Sequence, residues 1–189
     1  MYESYWGLCR SPFGGGPLDF FYESSVHEEA AARLWYLVEC RRRCGLLTGP
    51  AGTGKTALLA VLADQLTRSG CRVVRVDVGG LSGDEFRWRL NGELGMFPGA
   101  DDSQLLLWRK VQDSLEGMRA ARLATVFVFD HVDQAGDDCR GPLRRLIQFQ
   151  PHLRVAATIL LAGRDCPEWR PLADLRVELN RLDFAQTQS

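Results

Sequence analysis

The sequence predicts an α/β three-layer sandwich built on a mainly parallel sheet, and three observations carry that expectation. Strand-forming runs rich in valine and leucine recur at 71–78, 123–129 and 155–162, and the last of them lacks polar alternation, as a strand covered on both faces requires. Helical patterns separate these runs, which calls for crossover connections. A glycine-rich stretch, GPAGTGKT at 49–56, joins a short apolar run to one of those helical patterns.

In chain order, turn chemistry at SPFGGGP is followed by a helix expected over 26–39. A strand over 44–48 leads through the glycine-rich loop into a helix over 54–68, which Ser69 and Gly70 stop. The valine-rich CRVVRVDV at 71–78 is the second strand. Helices over 81–94 and 104–118 flank GMFPGADDS, and Ser103 is the expected N-cap of the later one. A third strand spans 123–129, a short helix 142–149 turns Arg144 and Arg145 outward, and VAATILLA at 155–162 is the fourth strand. A helix near 167–174 and a short strand over 175–179 complete the series.

The 189 residues suffice for one domain with a substantial core. Hydrophobic residues make up 46% and charged residues 25%, a globular composition, and the net charge of -1 supplies no global field toward nucleic acid or anionic membranes. No apolar run approaches the roughly 20 residues that cross a bilayer. The start MYESYWGLCRSPF lacks the apolar core of an export signal, so the expected location is cytoplasmic. The six cysteines, at 9, 40, 44, 71, 139 and 166, form no CxxC pair and are read as free thiols acting mostly as small buried hydrophobes. Only two of the 23 basic residues are lysine, Lys55 and Lys110.

Lys55 stands in the motif GxxxxGK[ST], with a strand before it and a helix after. Glycines at 49, 52 and 54 let main-chain N–H groups turn inward without a Cβ in the way, and the helix N-terminus adds its dipole. The chemistry implied is a polyphosphate cradle made of Gly49, Pro50, Ala51, Gly52, Thr53, Gly54, Lys55, Thr56 and Ala57. Lys55 would reach the β and γ phosphates of ATP, and the Thr56 hydroxyl would ligate Mg2+.

The run TVFVFDHVD at 125–133 supplies the second half of such a site. A buried strand delivers Asp130 to the carboxyl edge of the sheet, where ligands of open α/β folds bind. Thr56 and Asp130 together satisfy a cation that keeps most of its waters. Where a glutamate would activate the attacking water, this chain has His131. A neutral imidazole accepts a hydrogen bond from water, a protonated one does not, and Asp133 two residues on is the alternative base. The catalytic candidates are thus Lys55, Asp130, His131 and Asp133.

With these residues placed, the chain resembles AAA+ ATPases of the general secretion pathway protein A (ExeA) type, and through them bacterial transposition ATP-binding proteins. The likeness rests on the opening MYESYWGLCRSPF through HEEAAARLWYLVE, on GPAGTGKTALL, on DH in place of the family's DEAQ, on PLRRLIQFQ, and on ILLAGRD. The resemblance implies a P-loop NTPase core with sheet order 5-1-4-3-2. It divides the chain into a segment 1–43 packed on the nucleotide site and helping to cover the adenine, a core 44–180, and at 181–189 the start of a helical lid whose remainder is absent. It places Arg164 at the family's sensor position and offers Arg170 or Arg176 as the arginine that reaches a neighbouring subunit's γ-phosphate.

The function expected is an ATP-binding module whose nucleotide state governs assembly with a protein partner or with copies of itself, hydrolysing ATP slowly if at all. The alternatives are a nucleotide-stabilised scaffold without hydrolysis and a DNA-associated ATPase of the transposition type. For DNA the only basic clusters are RRRC at 41–44 and the pair Arg144 and Arg145, read as solvated faces. A small-molecule kinase ranks below these, because no arginine-rich lid insert is evident.

Overall fold

The structure, a computed structural model, describes residues 24–149 and 157–181. Five strands form one parallel sheet: β1 (Cys44–Thr48), β2 (Arg72–Asp77), β3 (Thr125–Asp130), β4 (Ala157–Gly163) and β5 (Leu175–Glu178). Their spatial order is β2-β3-β4-β1-β5, the order that the resemblance implied.

The absence of alternation in β3 and β4 has its reason in the layers. Successive side chains of a strand point to opposite faces, and here both faces are dry. Phe127, Phe129, Ile159 and Leu161 enter one core; Val126, Val128, Leu160 and Ala162 enter the other. The first core is closed by α3 (Gly83–Glu93), α4 (Gln104–Ala120) and α5 (Asp137–Phe149), through Phe86, Trp108, Leu115 and Leu143 among others. The second is closed by α1 (Ser25–Glu39) and α2 (Lys55–Arg68), through Leu34, Leu37, Leu58 and Leu62. Gly45 permits the close approach of α1: a Cβ there would lie 3.1 Å from Leu37 Cδ1 and 3.2 Å from Leu160 Cδ2.

Three elements depart from the sequence reading. Helix α3 starts at Gly83, because Ser82 leaves the helix to form a capping box: its hydroxyl accepts from Glu85 N at 3.3 Å while the Glu85 carboxylate accepts from Ser82 N at 2.9 Å. Helix α5 begins at Asp137, five residues before the expected start, and carries Pro142 inside it. Proline removes one donor but the first turn is secured from outside: Asp138 Oδ2 accepts from Gly83 N at 2.9 Å, and Gly136 N donates to Leu81 O at 3.2 Å. The helix expected near 167–174 is only a 3-10 turn, Arg170–Leu172. Two prolines work against it, and Asp174 is drawn off to accept from Arg43 N at 2.8 Å and Cys44 N at 3.2 Å at the start of β1.

Other expectations hold within a residue or two, including Ser103, whose hydroxyl accepts from Leu106 N at the start of α4. The segment 1–23, the residues 155 and 156 expected to open the fourth strand, and the expected lid start at 182–189 lie outside the described residues, as does Cys9. Cys44, Cys139 and Cys166 are buried as the composition suggested, while Cys40 is exposed and Cys71 half-buried. No helix among the described residues is long and apolar enough to cross a membrane.

Candidate functional site at the carboxyl edge of the sheet

The loop between β1 and α2 turns at glycines. Gly52 and Gly54 have φ of +81° and +82°, a region that side chains rarely adopt, and Gly54 is the N-cap of α2. The crest is tied internally: Thr53 Oγ1 donates to Pro50 O at 3.0 Å, and Lys55 Nζ donates to Gly49 O and Pro50 O, each at 2.7 Å. Below, Gly49 N donates to Arg164 O at 3.2 Å, which joins the loop to the end of β4. Partial burial holds the Lys55 ammonium below its ordinary pKa, and the carboxylates of Asp130 and Asp133 counter the shift.

Parallel register brings the ends of β2 and β3 side by side, with Asp77 opposite Asp130. Asp130 is gripped from two sides. Its Oδ2 accepts from Thr56 Oγ1 at 2.6 Å, and its Oδ1 accepts from His131 N at 2.8 Å. The expected pairing of Thr56 with Asp130 is therefore a contact: two hard oxygen donors stand together, the donor set that magnesium takes.

His131 sits in the left-handed region at φ +56°, which swings its ring across to β2. Its Nδ1 lies 3.0 Å from Asp77 Oδ1 and 4.0 Å from Asp130 Oδ2. The Asp77 carboxylate also accepts from Gly79 N at 3.0 Å. A carboxylate can only accept, so the neutral ring carries its hydrogen on Nδ1 and leaves the Nε2 lone pair available. Asp133 is placed differently. Its Oδ2 is 4.0 Å from Arg164 Nε, and its Oδ1 is buried without a hydrogen-bond partner.

A cleft of about 390 Å³ opens between these parts, lined by Gly52, Gly54, Lys55, Thr56, His131 and Arg164, with Ala51, Ala57, Asp133 and Gln134 completing the wall. Thr56 also borders an adjoining depression of about 310 Å³, which holds Asp77 and Asp130. Of the expected site residues, Gly49, Pro50 and Thr53 support the loop from behind the cleft lining. Arg164 lines the cleft; Arg170 and Arg176 do not. Arg170 Nη2 donates to Asp165 Oδ1 at 2.9 Å, and Arg176 Nη2 donates to Arg170 O at 2.9 Å.

Sequence reasoning missed two participants. Asp77 was read only as part of a strand; the signal was a lone carboxylate ending a valine run parallel to the one that ends in Asp130. His27, in the first turn of α1, is buried and touches the loop through its Nε2, 3.0 Å from Thr53 O. Nothing local announces that contact, since it spans 26 residues.

Burial pushes the Cys166 thiol behind the cleft up to about 12, reinforced by Asp133, and does the same to Cys44. Neither is a reactive thiolate at neutral pH.

Comparison with known proteins agrees with this geometry. Over 67 residues the chain is 40% identical to the general secretion pathway protein A of Aeromonas hydrophila, a stretch that covers 35% of this chain and 12% of that protein. Among solved structures, Cdc6p of Pyrobaculum aerophilum superposes with a TM-score of 0.68 at 18% identity over 89% of this chain and 48% of that one. The ORC1 protein of Aeropyrum pernix, solved in complex with DNA, gives 0.61 at 14% identity over 93% and 50%. The chain thus spans a small part of the secretion protein and about half of these solved chains, whose likeness is one of fold. The sequence itself matches the AAA domain family over residues 39–168, more than half of its length, and the chain belongs to that family of nucleotide-binding ATPase modules.

Proposed function

We propose that the chain binds ATP with Mg2+, that its nucleotide state governs assembly with a protein partner or with further copies of the chain, and that its hydrolysis is slow. The observation that carries the reading is the 2.6 Å contact between Thr56 Oγ1 and Asp130 Oδ2 beside a loop of positive-φ glycines. Thr56 and Asp130 would hold the magnesium ion, which when bound supplies charge neutralisation at the phosphates. Lys55 would exchange its two loop carbonyls for phosphate oxygens, and the amides of residues 49–57 would line the polyphosphate. Its depressed pKa makes that exchange favourable, because an anion restores the lost solvation of the ammonium.

Slow turnover follows from the residue after Asp130. The Asp77 carboxylate turns His131 so that Nε2 accepts a hydrogen bond from water, but imidazole is a poorer fit to the task than a carboxylate beside a cation. General-base catalysis contributes about 10²- to 10⁴-fold, and positioning with charge stabilisation leaves the remainder. Asp133, facing Arg164, would shape the field of the cleft. Support for residues 1–43 as a segment packed on the nucleotide site comes from the bond between His27 and Thr53. The free thiols agree with a cytoplasmic setting.

The test is calorimetric titration of ATP and ADP with and without Mg2+, together with the variants Thr56→Val and Asp130→Ala. Binding that strengthens with Mg2+ in the wild type and loses that dependence in both variants is the expected result. Wild type that binds neither nucleotide at millimolar concentration ends the reading. The scaffold alternative, favoured by His131, is separated by melting: equal shifts with ATP and ADP mark a structural ligand, and a larger shift with ATP marks a switch. Of the basic clusters, Arg43 is tied to Asp174, and Arg144 and Arg145 lie over Trp169 and Trp108, so each has a partner within the fold.

A further inference from the structure

We infer that His27, reaching out of α1, is a positioning residue of the phosphate loop: it holds the Thr53 carbonyl so that the Gly54 N–H is presented to the β-phosphate of a bound nucleoside di- or triphosphate. The inference rests on the nucleotide-binding reading above and adds to it a residue 22 positions before the loop's first glycine.

The chemistry is set by what each partner can do. A carbonyl oxygen only accepts, so the 3.0 Å contact between His27 Nε2 and Thr53 O places the ring hydrogen on Nε2. In the neutral ring that leaves Nδ1 as an acceptor, and the Ser24 hydroxyl lies 2.7 Å away to donate to it. Both partners are buried, Ser24 at 4% and His27 at 6% exposure, so neither bond is traded for water. Ser24 is the residue that caps α1 by position, yet its hydroxyl makes no capping bond to the helix. It serves the imidazole instead.

The consequence passes through one peptide bond. No peptide among the described residues is cis, and in a trans peptide the C=O and N–H point in opposite directions. Fixing the Thr53 carbonyl toward His27 therefore fixes the Gly54 N–H away from it. Gly54 lines the cleft and caps α2, so this N–H belongs to the positive end of that helix. At φ +82°, Gly54 has the conformational freedom of glycine, so the peptide that precedes it gains from an external hold. The hold is rigid because α1 is anchored along its length: Leu34 and Leu37 are buried in the same core as Leu58 and Leu62 of α2.

The experiment compares ATP, ADP and AMP by competition against a fluorescent ADP, in wild type, His27→Ala, His27→Gln, His27→Asn and Ser24→Ala. Glutamine can present an N–H at the place of Nε2, whereas asparagine is too short. His27→Ala and His27→Asn are expected to weaken ATP and ADP by about 10- to 100-fold, the worth of one hydrogen bond to a charged group. AMP, lacking a β-phosphate, keeps its affinity, and His27→Gln stays within about 3-fold of wild type for all three. Ser24→Ala gives a smaller loss confined to ATP and ADP. Should His27→Ala not fold, the contrast between His27→Gln and His27→Asn, with Ser24→Ala, carries the same test. Equal weakening of all three nucleotides, or ADP affinity unchanged when the Nε2 donor is lost, overturns the inference. Wild type that binds no nucleotide overturns the underlying reading as well, and is recognised before any variant is made.

Discussion

Gly49→Ala is the sharpest structural test of the loop. A Cβ at residue 49 would overlap the carbonyl oxygen of Leu179 and lie 3.0 Å from Thr53 Oγ1. The first obstacle is backbone and cannot rotate aside. Leu179 N is bonded to Thr48 O at 2.8 Å, so the two segments are stitched together at the very place where the methyl must enter. Relief requires either parting β1 from the chain that follows β5 or pushing the loop toward the cleft. Overpacking of this kind costs about 1–3 kcal/mol. For a chain of this size each kcal/mol lowers Tm by about 2–4 °C, so a 2 kcal/mol penalty means a drop of about 4–8 °C. The assay is thermal melting followed by ADP titration of the folded variant. Nucleotide affinity should fall too, because the displaced loop no longer presents its amides in register. A variant that melts within about 1 °C of wild type and binds ADP equally well would refute the reasoning. Gly52→Ala is the control: nothing lies within 4 Å of its Cβ, so only the cost of φ +81° remains.

Further outcomes are expected elsewhere. Gly117 lies inside α4 with nothing within 4 Å of an added Cβ, so Gly117→Ala should raise stability by about 0.5–1 kcal/mol in a urea melt. His131→Glu should raise turnover by at least about 10-fold in a phosphate-release assay if the missing base limits hydrolysis, and an unchanged rate would exonerate it. Asp77→Ala should lower kcat of the wild-type background while leaving KM for ATP within about 3-fold, since Asp77 orients His131 and has no part in the loop. The Lys110 ammonium, beside Asp102 at 2.5 Å, and the Gly99 amide hold the Asp102 carboxyl below the ordinary carboxylate range. A group whose folded pKa is depressed stabilises above its unfolded value, so the Tm gap between wild type and Asp102→Asn should be full at neutral pH. It should close as pH falls through the lowered value.

How much of this could be read beforehand differs from element to element. The strand over 155–162 was legible because a strand wet on neither face must be apolar throughout, and the cores on both sides of β4 bear this out. The strand over 71–78 was legible from its valines, and at the edge of the sheet it leaves Arg75 and Asp77 exposed. Helix α5 was legible only in its second half, since the bonds that secure its first turn come from Gly83 and Leu81, far away in sequence. The helix expected near 167–174 failed for a related reason: Asp174 found better partners in the amides of Arg43 and Cys44.

The phosphate loop, Thr56 and Asp130 were within reach of the sequence because their chemistry is spelled by residue type at fixed spacing: glycines, a lysine, a hydroxyl, and a carboxylate ending a buried strand. What the tertiary structure decided is how those groups are held. Parallel register set Asp77 beside Asp130 and gave His131 its partner, and the packing of α1 on α2 brought His27 to the Thr53 carbonyl. A short motif encodes the groups that would meet a ligand; the side chains that aim them come from wherever the folded chain passes close by, and only three-dimensional packing selects those.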